Sequence, residues 1–214
     1  MLYNNKLNLL QKIMRKNVFL FCLAALLPVF CCSLNAQVFI VENTTKTELY
    51  SSLEEAVQAA KNAYPSWSAT PVIRRVQILY KLRDLLIEHM DELTLLVATE
   101  NGKTWEEAQG DVLKAKEGTE QAISAPNLMM GESLMDAATG YDTVLYRMPL
   151  GVFAGIIPFN FPAMIPMGWM APICIACGNT MVLKAATFTP QTCMRIAELY
   201  KEAGLPDGVI NVVT

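Results

Sequence analysis

Apolar residues recur along this chain with two periods. From Leu53 to about Ala125 they return at helical spacing, and from Gly151 onward short unbroken apolar runs alternate with helical stripes. The first pattern predicts amphipathic helices; the second predicts strands buried on both faces, joined by helices. Ser51-x-x-Glu54 reads as a capping box opening a helix with the stripe Leu53, Ala56, Val57, Ala60 and Tyr64, which Pro65 is expected to stop. Thr70-Pro71 opens a second helix, with Ile73, Val76, Leu79, Leu82, Leu86, Met90, Leu93 and Val97 on one stripe. The cluster Glu100-Asn101-Gly102-Lys103-Thr104 breaks the pattern. Thr104-x-x-Glu107 then caps a third helix running to Ala125, where Pro126 ends it. Helical spacing puts Asp111, Lys114 and Gly118 on roughly one face of it.

Leu128–Thr139 is loop-like, and Tyr141–Met148 alternates enough to be a strand. The stretch Pro149–Lys184 organises the rest. Val152–Ile157 suits a buried strand, and Pro158-Phe159-Asn160-Phe161-Pro162 is a turn in which each proline restricts its predecessor. Pro162 opens a helix that is apolar nearly all round to Cys177, so it is expected to be buried. Gly178-Asn179 ends that helix, and Thr180–Lys184 is a second strand. Thr189-Pro190 starts another helix, Gly204 ends it, and Val209–Val213 is a third strand, with a short strand-like run also at Val38–Val41. From Gly151 the order is β-α-β-α-β, half of a doubly wound parallel sheet. It contains no G-x-G-x-x-G; Gly151-x-x-x-Gly155 falls within a strand.

Bulk properties narrow the picture. A length of 214 residues and a net charge of −3 leave no basic footprint, which argues against nucleic acid as a partner. The apolar fraction of 53% is raised by the N-terminus. There Lys12, Arg15 and Lys16 precede the apolar run Val18–Cys32, and Ser33-Leu34-Asn35-Ala36 follows. This is a signal-peptide pattern, with Met14 as a second candidate start, and the run is short for a membrane span. Cys174-x-x-Cys177 has redox or metal spacing, but no second pair or nearby histidine completes a site, so buried thiols and no metal are expected. His89, the only histidine, reads as a surface residue.

Candidate chemistry sits at strand ends. Asn160 follows one parallel strand and Lys184 ends the next, so both lie on the sheet edge where open α/β folds bind ligands. On spacing alone, Asn160 as a helix cap and Lys184 as a solvated strand end is the commoner arrangement, because such groups are frequent at strand ends.

Longer motifs add to this. PLGVFAGIIPFNFP followed by CGNTMVLK resembles the aldehyde dehydrogenase superfamily, and FNFPAMIP with Leu128-Met129-Met130-Gly131-Glu132 resembles its methylmalonate-semialdehyde dehydrogenase branch. The resemblance runs from about Thr45 to Thr214, and the family carries Glu-x-Gly-Lys where Glu100–Lys103 stands. It implies a helical N-terminal part followed by half of a Rossmann-like sheet. It implies that a cysteine thiolate attacks a small semialdehyde, that hydride passes to NAD, and that water or coenzyme A releases the acyl group. Asn160 would donate to the oxyanion, and Lys184 would meet the adenosine ribose of the cofactor. Ile156, Ile157, Pro158 and Phe159 would line the cofactor cleft. Lys114 stands where an arginine meets the substrate carboxylate, keeping the charge but losing the bidentate fork; the alternative is a lysine that is simply solvated. Tyr141–Met148 would belong to an arm that pairs with a neighbouring subunit of a homo-oligomer.

The sequence departs from the family in three places. Lys184-Ala185-Ala186-Thr187 replaces Lys-Pro-Ser-Glu, so Thr187 stands where a carboxylate grips the ribose hydroxyls, and NADP becomes an alternative cofactor. Asn160 to Lys184 is one residue longer than the family norm, with Gly168 as the extra residue; this rotates the following helix by about 100° unless a bulge absorbs it. Finally, the family's glycine loop, glutamate base and nucleophilic cysteine lie beyond Thr214. The chain as given is therefore expected not to oxidise aldehydes, and to expose Val209–Val213 as a sheet edge that lowers solubility. A second reading makes it a non-catalytic binding or assembly partner of a full-length relative. The expected divisions are residues 1–37 as a leader unlike the family, 38–140 as the helical part, 141–148 as the arm strand and 149–214 as the half sheet. The family implies a cytoplasmic or mitochondrial location. The segment 14–36 instead implies export, or a tether if 18–32 is an uncleaved anchor, and a mis-assigned start is the rival explanation.

Overall fold

In the computed structural model, which describes residues 52–214, helix α1 (Leu53–Ala69) is capped by Ser52 rather than Ser51. The Ser52 hydroxyl accepts from the Glu55 amide at 3.2 Å. The expectations for the leader, Val38–Val41 and Ser51 lie outside the described residues. Pro65 does not stop α1, although it removes an intrahelical donor at a cost of about 3 kcal/mol. Tertiary anchoring offsets that loss: Trp67, in the turn beyond the proline, is buried and donates its indole N–H to the Ile175 carbonyl at 3.1 Å.

The long second stripe divides at His89 into α2 (Val72–Glu88) and α3 (Met90–Asn101). Val76, Leu79, Leu82, Leu86, Leu93 and Val97 are buried as expected, whereas Ile73 is exposed. His89 is half-buried, with Nδ1 2.6 Å from Glu92 Oε2. Helix α4 (Trp105–Ala122) carries the complete Thr104/Glu107 capping box, but it ends before Pro126. That proline instead lies in the first turn of the short α5 (Ala125–Leu128), as a residue without an N–H can.

The segment expected as a loop contains β1 (Glu132–Ala138), paired antiparallel with β2 (Tyr141–Leu145). Few residues of β1 favour strands intrinsically; pairing across the hairpin makes it one. Every residue of both strands is exposed.

The main sheet is parallel, in the order β3 (Val152–Ile156), β4 (Thr180–Lys184), β5 (Ile210–Val213). The fold is α/β, with helices preceding this partial doubly wound sheet. Side chains alternate across β4: Val182 packs with Ala56 and Ala60 of α1, while Met181 and Leu183 join the main core. β3 corrects an expectation, because it is an edge strand exposed at every position except Gly155. β5 is the other edge strand of this sheet, as expected, although its faces are covered: its residues alternate between buried and half-buried.

Between β3 and β4 the chain forms a π-helical turn, Met164–Met170, and then α6 (Ala171–Ala176). The Ala171 amide donates to the Pro166 carbonyl, one residue further back than an α-helix allows. Gly168, expected as the extra residue, lies within this π-helical turn. It crosses α4 at Ala115 and Gly118, where a Cβ on Gly168 would come to 2.7 Å from the Ala115 Cα. The carbonyls at the end of α6 are satisfied by Trp67 and by the buried Arg75, whose Nε donates to Ala176 at 2.9 Å. Helix α7 (Gln191–Glu202) connects β4 to β5. Among the described residues, no helix is long and apolar enough to cross a membrane.

Candidate active site

Parallel pairing brings the strand ends into one row. Ile156 stands opposite Lys184, and Lys184 opposite Val213. The turn Pro158–Pro162 leaves this edge next to Lys184, whose carbonyl accepts from the Ile157 amide at 3.1 Å.

Asn160 is exposed at the crest of the turn. Both of its neighbours are held. On one side, the Phe159 carbonyl accepts from Asn101 Nδ2 at 2.9 Å and from Thr189 Oγ1 at 3.3 Å. On the other, the Lys103 ammonium lies 4.1 Å from the centroid of the Phe161 ring. Lys103 Nζ also reaches Asp111 Oδ2 at 3.1 Å, and Asp111 Oδ1 accepts from the Met164 amide at 2.8 Å. The Asp111 side chain is 0% exposed and that of Lys103 15%, so this pair is screened from solvent.

The corner after α3 supplies much of this. Gly102 takes a left-handed φ of 76°, which terminates α3 and turns Lys103 toward the site. Glu100 reaches away from it and accepts from the Gln191 and Thr192 amides at 2.8 and 2.9 Å, capping α7. The sequence marks 100–104 as a break between helices, yet Asn101, Lys103 and Thr189 carry no signal of their own that they meet at the turn. Asp111 had one: a carboxylate flanked by the buried Ala108, Val112 and Ala115 of α4 must find a partner.

The other sequence candidates fall in different surroundings. Ile156 is 81% exposed and Phe159 58%, whereas Ile157 is 6% exposed and joins the core. Ile157 therefore does not open onto the edge, because alternation along the strand turns it inward. Pro158 is exposed. Half-buried Lys184 donates to the Thr187 hydroxyl at 2.8 Å, and Thr187 is exposed. Lys114, one turn on from buried Asp111 on α4, is exposed and pairs with Glu117 at 2.6 Å.

Among the described cysteines none is an activated thiolate. Burial pushes Cys174 and Cys193 up to about 12. Burial also raises Cys177, against the opposing charge of Arg75. Among the described residues, no group of His, Cys, Asp or Glu is arranged to hold a metal ion.

The Aldehyde dehydrogenase family model matches residues 34–214. The chain belongs to the aldehyde dehydrogenase family. The match takes in residues 34–37, the last four of the segment expected to be a leader unlike the family. The chain is 56% identical over 161 residues to malonate-semialdehyde dehydrogenase 2 of Geobacillus kaustophilus (strain HTA426), covering 75% of this chain and 33% of that protein. It is 55% identical, with the same coverage, to malonate-semialdehyde dehydrogenase 1 of Geobacillus thermodenitrificans (strain NG80-2). It thus spans about a third of the length of the curated relatives it matches. Among solved structures, the methylmalonate-semialdehyde dehydrogenase of Oceanimonas doudoroffii superposes with a TM-score of 0.73 at 43% identity, covering 75% of this chain and 33% of that one. A Sinorhizobium meliloti 1021 protein described as a methylmalonate-semialdehyde dehydrogenase complexed with NAD gives a TM-score of 0.73 at 45% identity, again over 75% and 33%.

Proposed function

We propose that this chain forms part of an NAD-dependent dehydrogenase that oxidises a malonate- or methylmalonate-type semialdehyde through a cysteine thioester, with coenzyme A or water as acyl acceptor. The observation that carries this reading is Asn160: an exposed side-chain amide, held between fixed neighbours, on the same sheet edge as Lys184. A donor held in place before reaction stabilises developing oxyanion charge without reorganisation cost. Identity above 50% to relatives named malonate-semialdehyde dehydrogenase supports the substrate class.

Lys184 at the carboxyl edge fits the adenosine ribose of a dinucleotide, and exposed Ile156 and Phe159 offer the apolar contact beside it. NAD when bound would supply the hydride acceptor through its nicotinamide ring. Thr187 provides a hydroxyl where a carboxylate would accept from both ribose hydroxyls, so NADP is tolerated as well. Lys114 would meet the substrate carboxylate by exchanging Glu117 for it. The wholly exposed β1–β2 hairpin supports an arm that pairs with a second subunit. That same surface favours the second reading, a non-catalytic assembly partner.

The test is NADH formation from malonate and methylmalonate semialdehyde by the protein as its gene expresses it, beside Asn160→Ala and Lys184→Ala. We expect Asn160→Ala to cut kcat by about 10²–10³ and Lys184→Ala chiefly to raise KM for NAD. Unchanged kcat in Asn160→Ala would remove the donor role. Absence of NADH with both semialdehydes, together with co-purification of a full-length relative, would favour the assembly partner.

A further inference from the structure

We propose that Lys103 and Asp111 are positioning residues that hold the Asn160 turn in its working geometry, an inference that rests on the reading of Asn160 as the oxyanion donor. The turn alone cannot do this. Its crest is exposed and its prolines lack N–H groups, so few of its own hydrogen bonds restrain it. Restraint must come from outside, and the α3–α4 corner provides it.

Asp111 is the centre of the device. A carboxylate with no solvent exposure has to be matched in charge and in hydrogen bonds, or its burial is strongly unfavourable. Lys103 matches the charge at 3.1 Å, and the Met164 amide satisfies the other oxygen at 2.8 Å. Met164 opens the π-helical turn just after Pro162, so the carboxylate fixes the downstream end of the Asn160 turn to α4. The same ammonium lies 4.1 Å from the Phe161 ring centroid, immediately beside Asn160. Cation–ring attraction is stronger in a desolvated setting, and Lys103 is largely withdrawn from solvent. One cation thus joins the anion that holds Met164 to the ring that flanks Asn160. Asn101, two residues before Lys103, holds the upstream carbonyl of Phe159. Fixing both ends while leaving the Asn160 amide accessible to a substrate is the arrangement a preorganised donor needs.

The experiment is backbone ¹⁵N relaxation on the full chain, comparing Asn160 with Val182 in the middle of β4. The variants are Asp111→Ala, Lys103→Met and Lys103→Arg. In the unaltered chain we expect an order parameter at Asn160 of about 0.85; in Asp111→Ala and Lys103→Met it should fall below about 0.6, with Val182 unchanged. Lys103→Arg, which keeps the cation and its stacking on Phe161, should restore rigidity. A role confined to overall stability would not loosen Asn160 selectively. The proposal is overturned if Asn160 stays rigid in Lys103→Met, if Val182 loosens to the same extent, or if Lys103→Arg behaves like Lys103→Met. Should Asp111→Ala fail to fold, the two Lys103 variants decide alone. Kinetics of Asn160→Ala test the donor reading separately: unchanged turnover there would remove that reading, while the relaxation data still decide whether Lys103 and Asp111 fix the turn.

Discussion

Glu100 closes the amino end of a helix far along the chain: its carboxylate accepts from the Gln191 amide at 2.8 Å, and from Thr192 beside it. The α7 N-terminus begins at Pro190 without a side-chain cap of its own, so this glutamate supplies both the acceptor and the favourable negative charge. Glu100→Ala should lower stability by about 1–2 kcal/mol in urea unfolding. Glu100→Gln, which keeps an oxygen acceptor, should lose less. Equal midpoints for all three proteins would show that the cap contributes nothing.

Gly168 has no room for a side chain, since its Cβ would fall 2.7 Å from the Ala115 Cα. Backbone on both sides of the crossing must move to admit a methyl group. Gly168→Ala should therefore cost about 1–3 kcal/mol. A thermal midpoint at or above that of the parent would contradict the close packing of α4 on the π-helical turn.

Acid should weaken the contact between α3 and α7. Hydrogen bonding to Arg195, with a smaller contribution from His89, holds the Glu92 carboxyl below its ordinary 4.5 against the opposing effect of burial. A depressed folded-state value means the contribution is present above the unfolded value and is lost as pH falls through the lower, folded one. Denaturant midpoints should drop below about pH 4.5, and Glu92→Gln should flatten that part of the profile while lowering stability at neutral pH. Parallel profiles for the two proteins would show that Glu92 is not coupled to folding.

Thiol reactivity should follow burial. Cys174 and Cys193, both pushed up to about 12, should resist alkylation in the folded chain, whereas half-buried Cys177 should react before either of them. Mass mapping after brief iodoacetamide treatment checks this, and rapid labelling of Cys193 would contradict it.

Much of the fold was legible because it depends on neighbours in sequence. Helical stripes, the Thr104/Glu107 capping box and the β-α-β-α-β order all rest on spacings of a few residues. The same is true of the placement of Asn160 and Lys184 on one edge, since parallel strands joined by a helix align their carboxyl ends. What remained hidden needed partners far along the chain. Trp67 reaching Ile175 carries α1 through Pro65, and cross-strand pairing makes a strand of Glu132–Ala138. Asp111 meets the Met164 amide, and Asn101 meets Phe159, only after α3, α4 and the turn have docked. Local sequence thus determined which residues could become helix, strand and turn, and which polar groups stood at the strand ends. Only the tertiary structure decided which of them are buried, paired and held still, because burial turns an ordinary lysine and aspartate into a pair that must be satisfied.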